Sequence, residues 1–357
     1  MPLWSWLVPA ACAALLTAAL TLHVGVALAL VCGVALIGAV IAAVHHAEVV
    51  AHRVGEPLGT LVLSISITVI EVALILIVML GGGAAAAVLA RDTIFSVIMI
   101  TLNGVVGLSL FIGALRHREQ SFHVLGANAA LAALIALTTL SLVLPAFTTS
   151  SPGPTYTSAQ ISFAAISSLL LWGAFVFVQT VRHRDYFTPP AAEPGADEET
   201  HAPPPSIRVA LASSVLLVVS LLAVVGLAHA VEPVVESGLA RAGAPPEVLS
   251  IAIAMLTLLP ESWAAVRAAL ADRLHTSLNL GLGSALASIG LTIPAVSISS
   301  GLVGVPLTLG LGAKDLVLLV LTFAVASITF VAGRTHVLQG VVHLVIFGSF
   351  LFFALVP

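Results

Sequence analysis

Glu71 and Glu261 each stand alone inside a long apolar stretch, LVLSISITVIEVALILIVML and VLSIAIAMLTLLPESWAAV, in a chain that is only 8% charged. A charged carboxylate at the centre of a bilayer costs about 2.5–3.5 kcal/mol on insertion scales, so such a residue is kept for use. Removal from water favours the protonated form of a carboxyl group, whereas a cation placed between two carboxylates stabilises the ionised form. A pair of this kind can therefore hold protons or a hard cation such as calcium in turn.

The neighbouring residues extend the same chemistry. Thr68 lies one turn before Glu71, after Ser64 and Ser66, and Thr257 lies four residues before Glu261 on the same helix face. Their hydroxyls are either hard oxygen ligands or back-bonds to the helix carbonyls. Pro260 cannot donate to a carbonyl one turn earlier, around Leu256, and so marks a helix kink that either exposes a backbone oxygen or serves packing alone. The stretch after Glu71 carries Asn103 beside Gly104 and Gly107. The stretch after Glu261 carries Asn279, Ser284 and Ser288 among Gly281, Gly283 and Gly290. Small residues let helices approach closely, which would bring Asn103 or Ser284 near a carboxylate.

The elements that position these groups follow from composition. Of 357 residues 60% are hydrophobic, and the mean hydropathy is +1.18, which predicts an all-α polytopic membrane protein. The net charge of −4 gives no basis for nucleic-acid binding. Cutting at polar clusters and at Gly/Pro punctuation gives about eleven spans: 3–22, 24–44, 58–80, 92–115, 124–146, 158–181, 208–231, 247–270, 276–300, 314–332 and 336–356. Without a basic n-region, the N-terminus reads as an uncleaved first span. Alternate connections hold Arg53, Arg116, Arg118, Arg182, Arg184, Arg208, Arg267, Arg273 and Arg334, against Arg91, Arg241 and Lys314 on the other side. That bias places the N-terminus in the cytoplasm and the C-terminus outside.

The segment 182–207, rich in Pro and acidic residues, reads as a mobile cytoplasmic linker. It separates a first five-helix group (24–181) from a second (208–357), with residues 1–23 as an extra helix. Five is odd, so the groups enter the membrane from opposite sides, the topology of an inverted repeat. Glu71 and Glu261 then lie on the second helix of their groups, and the repeat axis would bring them to one midplane site.

Other polar groups admit different readings. His45, His46 and His52 with Glu48 suggest a zinc site, a pH sensor or water-contacting interfacial residues. As the centre of an intramembrane metal-dependent hydrolase they would sit at a membrane edge, without an HExxH motif. A passive channel would need rings of ligands from several subunits, which a chain holding both carboxylates does not require. Cys12 and Cys32, both in apolar segments, read as small core residues.

The motifs together resemble the cation/calcium exchanger superfamily, and within it the bacterial calcium/proton antiporters. Thr-Leu-Leu-Pro-Glu at 257–261 followed by NLGLGSALASIGLTIP at 279–294 matches the second signature pair. The blocks HHAEVVAHRVGEPLGT from His45 and LQGVVHLVIF from Leu338 extend the likeness over nearly the whole chain. The first signature, Ile-Thr-Val-Ile-Glu at 67–71, has no Pro, and Ile67 replaces a liganding Thr of the sodium/calcium exchangers. The resemblance implies one essential acid per repeat, Glu71 and Glu261, as shared cation and proton ligands, assisted by Thr68, Thr257, Asn103 and Ser284. It implies calcium/proton antiport in a bacterial inner membrane, with sodium or potassium as alternative cations, no resident cofactor, and a homo-oligomer left open.

Overall fold

The computed structural model describes residues 1–22, 25–55, 58–81, 87–187, 204–245, 247–304 and 307–356. Among them, eleven helical stretches are long and apolar enough to cross a membrane. In order these are α1 (Trp4–Thr21), α2 (Val26–Val54), α3 (Leu58–Gly81), the broken pair α4 (Leu89–Met99) and α5 (Val106–His117), α6 (Val124–Thr138, its stretch continuing through π and 3₁₀ turns to Ala146), α7 (Ser158–Phe177, continuing through a π turn to Arg182), α8 (Ile207–Ala242), α9 (Glu247–Leu270), α10 (Leu274–Val303), α11 (Ala313–Val331) and α12 (Val337–Leu355). The only strands among the described residues are Gln120–Ser121 (β1) and Arg334–Thr335 (β2), paired antiparallel. The all-α expectation holds.

Two expected spans are short of the observed helices. The second continues to Val54 and the seventh to Ala242, which makes α8 about 54 Å long, well beyond a hydrocarbon core of about 30 Å. Polar residues in these extensions stay helical because the backbone bonds itself and the side chains need not be apolar there. Gly243, in the left-handed conformation at φ 63°, then stops α8. The proposed cut at 23–25 falls partly on residues outside the description, as does most of the 182–207 linker. Its first residues are not loose: Arg184–Tyr186 form a 3₁₀ turn, and the Phe187 carbonyl accepts from Asn279 Nδ2 at 2.8 Å.

The chain divides into two compact units. The first comprises Met1–Leu89 and Pro203–Thr257, the second Ala90–Ala202 and Leu258–Pro357. The division falls inside two continuous helices, after Leu89 in α4 and after Thr257 in α9.

In the first unit, α2 runs along α8, with α1 and α3 packed on both. Small residues set the spacing. The Gly226 position on α8 is filled by the Leu16 side chain, and a Cβ at Gly38 would lie 3.3 Å from Val8. Cys12 and Cys32 are buried and unpaired, and the Cys12 thiol donates to the Ala35 carbonyl at 3.2 Å.

In the second unit, α5 packs on α12, α10 on α6 and α7, and α11 on α6 and α12. A Cβ at Gly340 would lie 2.5 Å from the Phe111 amide nitrogen, and one at Gly290 2.5 Å from Trp172 Cβ, so these glycines permit the contacts. The end of α9 is tied by side chains. His117 Nε2 donates to the Leu270 carbonyl at 3.0 Å, and Gln120 Nε2 donates to the Ala269 carbonyl at 3.1 Å and to Asp272 at 2.8 Å. Terminal carbonyls without a helical partner are thereby satisfied.

Candidate functional site

Glu71 lies near the middle of the 24-residue helix α3, only 1% exposed, between Ile70 at 2% and Leu74 at 4%. No Pro interrupts this helix, and its flanking sequence is mostly aliphatic. Thr68, one turn before it, is 7% exposed, and its hydroxyl has no hydrogen-bond partner among the described residues. Ser66 behaves differently: its hydroxyl donates back to the Val62 carbonyl at 2.7 Å. Of these two buried hydroxyls, Thr68 is therefore the one with its hydrogen-bonding capacity unspent.

Glu261 belongs to the second unit. It follows Pro260 inside α9 and is half-buried as a residue, but both carboxylate oxygens are shielded from solvent. Thr257, placed by sequence as its partner, falls in the first unit by one residue. Its hydroxyl hydrogen is taken by the helix, donating toward Ile253 at 3.2 Å and Ala254 at 3.1 Å. Of the two readings, Thr257 therefore shows the back-bond, although a donating hydroxyl keeps lone pairs for a cation.

Asn103 is fully buried. It sits in a π-helical turn, Ile100–Val105, that joins α4 to α5 and closes with Val106 N–H donating to the Thr101 carbonyl. Such turns widen the helix by one residue and recur at functional sites. Gly104 and Gly107 were expected to bring Asn103 toward a carboxylate. Within the second unit they seat α12: a Cβ at Gly107 would lie 2.8 Å from His343 Cβ, and one at Gly104 3.4 Å from Phe347. Asn103 Nδ2 donates to Thr322 Oγ1 at 2.9 Å, while Oδ1 faces His343 Nδ1 at 3.1 Å. Ser284 is half-buried on α10, and Gly281 of the same helix packs against Thr101 of the π turn at 3.5 Å.

Two groups escaped the sequence reading. His343 is fully buried, with Nε2 at 3.2 Å from Thr329 Oγ1. A lone histidine inside GVVHLVIF was a usable signal. Glu232 was assigned to a connection because the seventh span was ended at 231. The continuing helix places it at a cavity of about 180 Å³ in the first unit, otherwise lined by apolar residues including Leu36, Leu74, Ala228, Ile253 and Leu256. Its side chain is 8% exposed, and His229 Nδ1 lies 3.5 Å from Oε2.

Two of the three α2 histidines serve packing, while His52 and Glu48 are exposed, as expected of interfacial residues. His46, expected in contact with water, is fully buried; Nε2 donates to the Ser5 carbonyl at 2.8 Å and Nδ1 meets Ser213 Oγ at 3.3 Å, joining α1, α2 and α8. The His45 ring packs on Trp4 with centroids 4.8 Å apart. No group of three His, Cys, Asp or Glu residues able to hold a metal occurs among the described residues. With His46 committed to helix packing, the hydrolase reading loses its centre.

The family model for sodium/calcium exchanger proteins matches residues 24–181 and 212–356. A Sinorhizobium fredii protein described as an ionic transporter, y4hA, is 47% identical over 100% of this chain and 97% of its own length. The sodium-potassium/proton antiporter ChaA of Escherichia coli is 34% identical, covering 93% of this chain and 89% of its own. The solved structure of YfkE superposes with a TM-score of 0.75 at 17% identity, covering 99% of this chain and all of that one. That of the H⁺/Ca²⁺ exchanger CAX gives 0.70 at 14% identity, covering 98% and 88%. With eleven apolar helices, this fold and these matches, the chain belongs to the sodium/calcium exchanger protein family of polytopic membrane transporters.

Proposed function

We propose that this chain is a secondary antiporter that exchanges cytoplasmic calcium for external protons, with Glu71 and Glu261 as shared ligands of cation and proton. The observation that carries the reading is Glu71, 1% exposed in the middle of an unbroken apolar helix, with the unspent Thr68 hydroxyl one turn away. Glu261 is its counterpart on α9, and Thr257, Asn103 and Ser284 supply further oxygens. Neutral carboxyl groups tolerate an apolar setting, and a divalent cation balances two carboxylates as their protons leave. Cation and protons then compete for one site, which alternating access exposes to each side in turn.

The two matched segments of the family model support a reading as two repeats, 24–181 and 208–357, in inverted topology. The arginine bias supports a cytoplasmic N-terminus and an external C-terminus in the bacterial inner membrane. In everted vesicles, Glu71→Gln and Glu261→Gln are each expected to abolish calcium-dependent proton movement. Full exchange in both variants would refute the site.

A second reading, sodium or potassium against protons at the same carboxylates, is favoured by the 34% identical relative named for that exchange. The structural neighbours named as Ca²⁺/H⁺ antiporters are only 14% to 16% identical. Proton release from proteoliposomes given calcium, sodium or potassium separates the two. Response to potassium or sodium but not calcium would replace calcium as the substrate.

A further inference from the structure

The site reading gives Asn103 one task, offering its carbonyl oxygen to a cation. A free asparagine amide is poorly suited to this, because a half-turn about χ2 exchanges an attractive oxygen for a repulsive NH₂ group. In the second unit both ends of that amide are held. Nδ2 donates to Thr322 Oγ1 at 2.9 Å, and its other approach is to the Met99 sulfur at 3.8 Å. Thr322 Oγ1 in turn lies 3.4 Å from the same sulfur. Oδ1 lies 3.1 Å from His343 Nδ1, and the far side of the ring, Nε2, lies 3.2 Å from Thr329 Oγ1. All four polar residues are at most 2% exposed.

In the neutral ring this orientation is met with the hydrogen on Nδ1 facing Oδ1 and with Nε2 accepting from the Thr329 hydroxyl; the Leu102 carbonyl also approaches the ring as an acceptor. An amide oxygen has two lone pairs, so accepting from His343 leaves one for a ligand. Thr322 and Thr329 are seven residues apart and share a face of α11, so the chain Thr322–Asn103–His343–Thr329 spans the π turn, α11 and α12. Gly107 is what allows the ring this close.

We infer that His343 is a positioning residue for the transported cation: by donating Nδ1–H to Asn103 Oδ1 it holds that oxygen, and not the amide nitrogen, toward the site. The inference rests on the proposed glutamate site and adds a residue that touches neither cation nor carboxylate.

The test is cation-driven proton release by the full chain in proteoliposomes, with calcium and with potassium as probes. His343→Leu is expected to raise the apparent KM for the transported cation about tenfold, the effect of one lost hydrogen bond to a buried amide, with maximal rate within threefold of the parent. His343→Asn, whose Nδ2 occupies the place of the ring Nδ1, recovers most of the affinity. Asn103→Ala raises KM by a similar factor, and adding His343→Leu to it has no further effect. Should the leucine variant fail to accumulate, His343→Gln reaches the Nε2 position, leaves Oδ1 without its donor, and is expected to behave like leucine.

An unchanged KM in a folded His343→Leu or His343→Gln protein overturns the proposal, as does an unchanged KM in Asn103→Ala. So does an asparagine variant as impaired as leucine, which would mark the ring as packing. The glutamate reading stands or falls separately. Inactive Glu71→Gln and Glu261→Gln proteins beside a normal His343 series refute only the positioning role, whereas active glutamate variants refute the site whatever His343 does.

Discussion

The two units are held together internally by different means. In the first, α1, α2, α3 and α8 meet through small residues against aliphatic ones: Leu16 over Gly226, Val8 near Gly38, and the buried Cys12 and Cys32. Among its described polar ties, that at His46 joins α1, α2 and α8. The second unit is threaded by directional bonds at several depths. Thr322, Asn103, His343 and Thr329 link three helices, while Asn279 joins His275 to the Phe187 carbonyl, and Gln120 and His117 fasten the end of α9. Aliphatic contacts can slide with little change in energy, whereas a hydrogen-bonded chain has a preferred register and must break to move. Interhelical bonds in membranes average about 0.6 kcal/mol each, so it is their number along one unit that stiffens it. Among the described residues, the difference predicts a more pliable first unit and a stiffer second one. Glu71 lies in the first and Glu261 in the second, so the two carboxylates differ in setting even if they share a task.

The contrast can be broken by crowding either unit. Gly340→Ala drives a Cβ into the Phe111 backbone, which cannot turn aside as a side chain would. It should cost about 3 kcal/mol and lower the thermal unfolding midpoint in detergent by several degrees. A neutral result would show the second unit to be softer than its bonds imply. Asn103→Leu leaves His343 and Thr322 with unmet polar groups in a sealed interior. A loss of about 2 kcal/mol is expected in the same melt, and unchanged stability would remove the chain as a stiffening element. Gly226→Ala in the first unit meets only the flexible end of Leu16 and should cost about 1 kcal/mol or less. A penalty as large as that of Gly340→Ala would erase the distinction.

The smallest effect concerns Tyr156, in the segment between α6 and α7. Its hydroxyl donates to the Leu140 carbonyl at 2.6 Å, and burial pushes the phenol above its ordinary range. Because the folded state favours the neutral phenol, the stabilisation is present below the ordinary value of about 10 and is lost as pH rises through the folded value. Phenolate absorbance should therefore show a late-titrating tyrosine that disappears in Tyr156→Phe. Titration of that tyrosine at the ordinary value would refute the shift.

The sequence reveals much of the scaffold because a bilayer enforces a simple code: eleven apolar runs became eleven helices, and the boundaries 124–146 and 247–270 coincide with the observed spans. The failures share a cause. The ends of α2 and α8 were cut at the first polar residues, yet a helix satisfies its own backbone and can outrun its apolar stretch. Glu232 was lost with that cut. At the candidate site, the chemistry of Glu71, Glu261 and Asn103 could be read from residue type. What each side chain bonds depends on tertiary partners: Thr257 is back-bonded, while Thr68 has no partner among the described residues, although the two look alike in sequence. The π turn at Ile100–Val105 leaves no compositional mark, and His343 contacts Asn103 across 240 positions of chain.

The chain has two cysteines, Cys12 and Cys32, and both lie in the first unit. At 3% and 0% exposure they are closed to solvent in this conformation. A reagent that alkylates thiols can reach them only when α1 and α2 part from their neighbours, so the wild-type protein carries its own chemical gauge of any breathing in the first unit. The second unit has no thiol to add background to that signal.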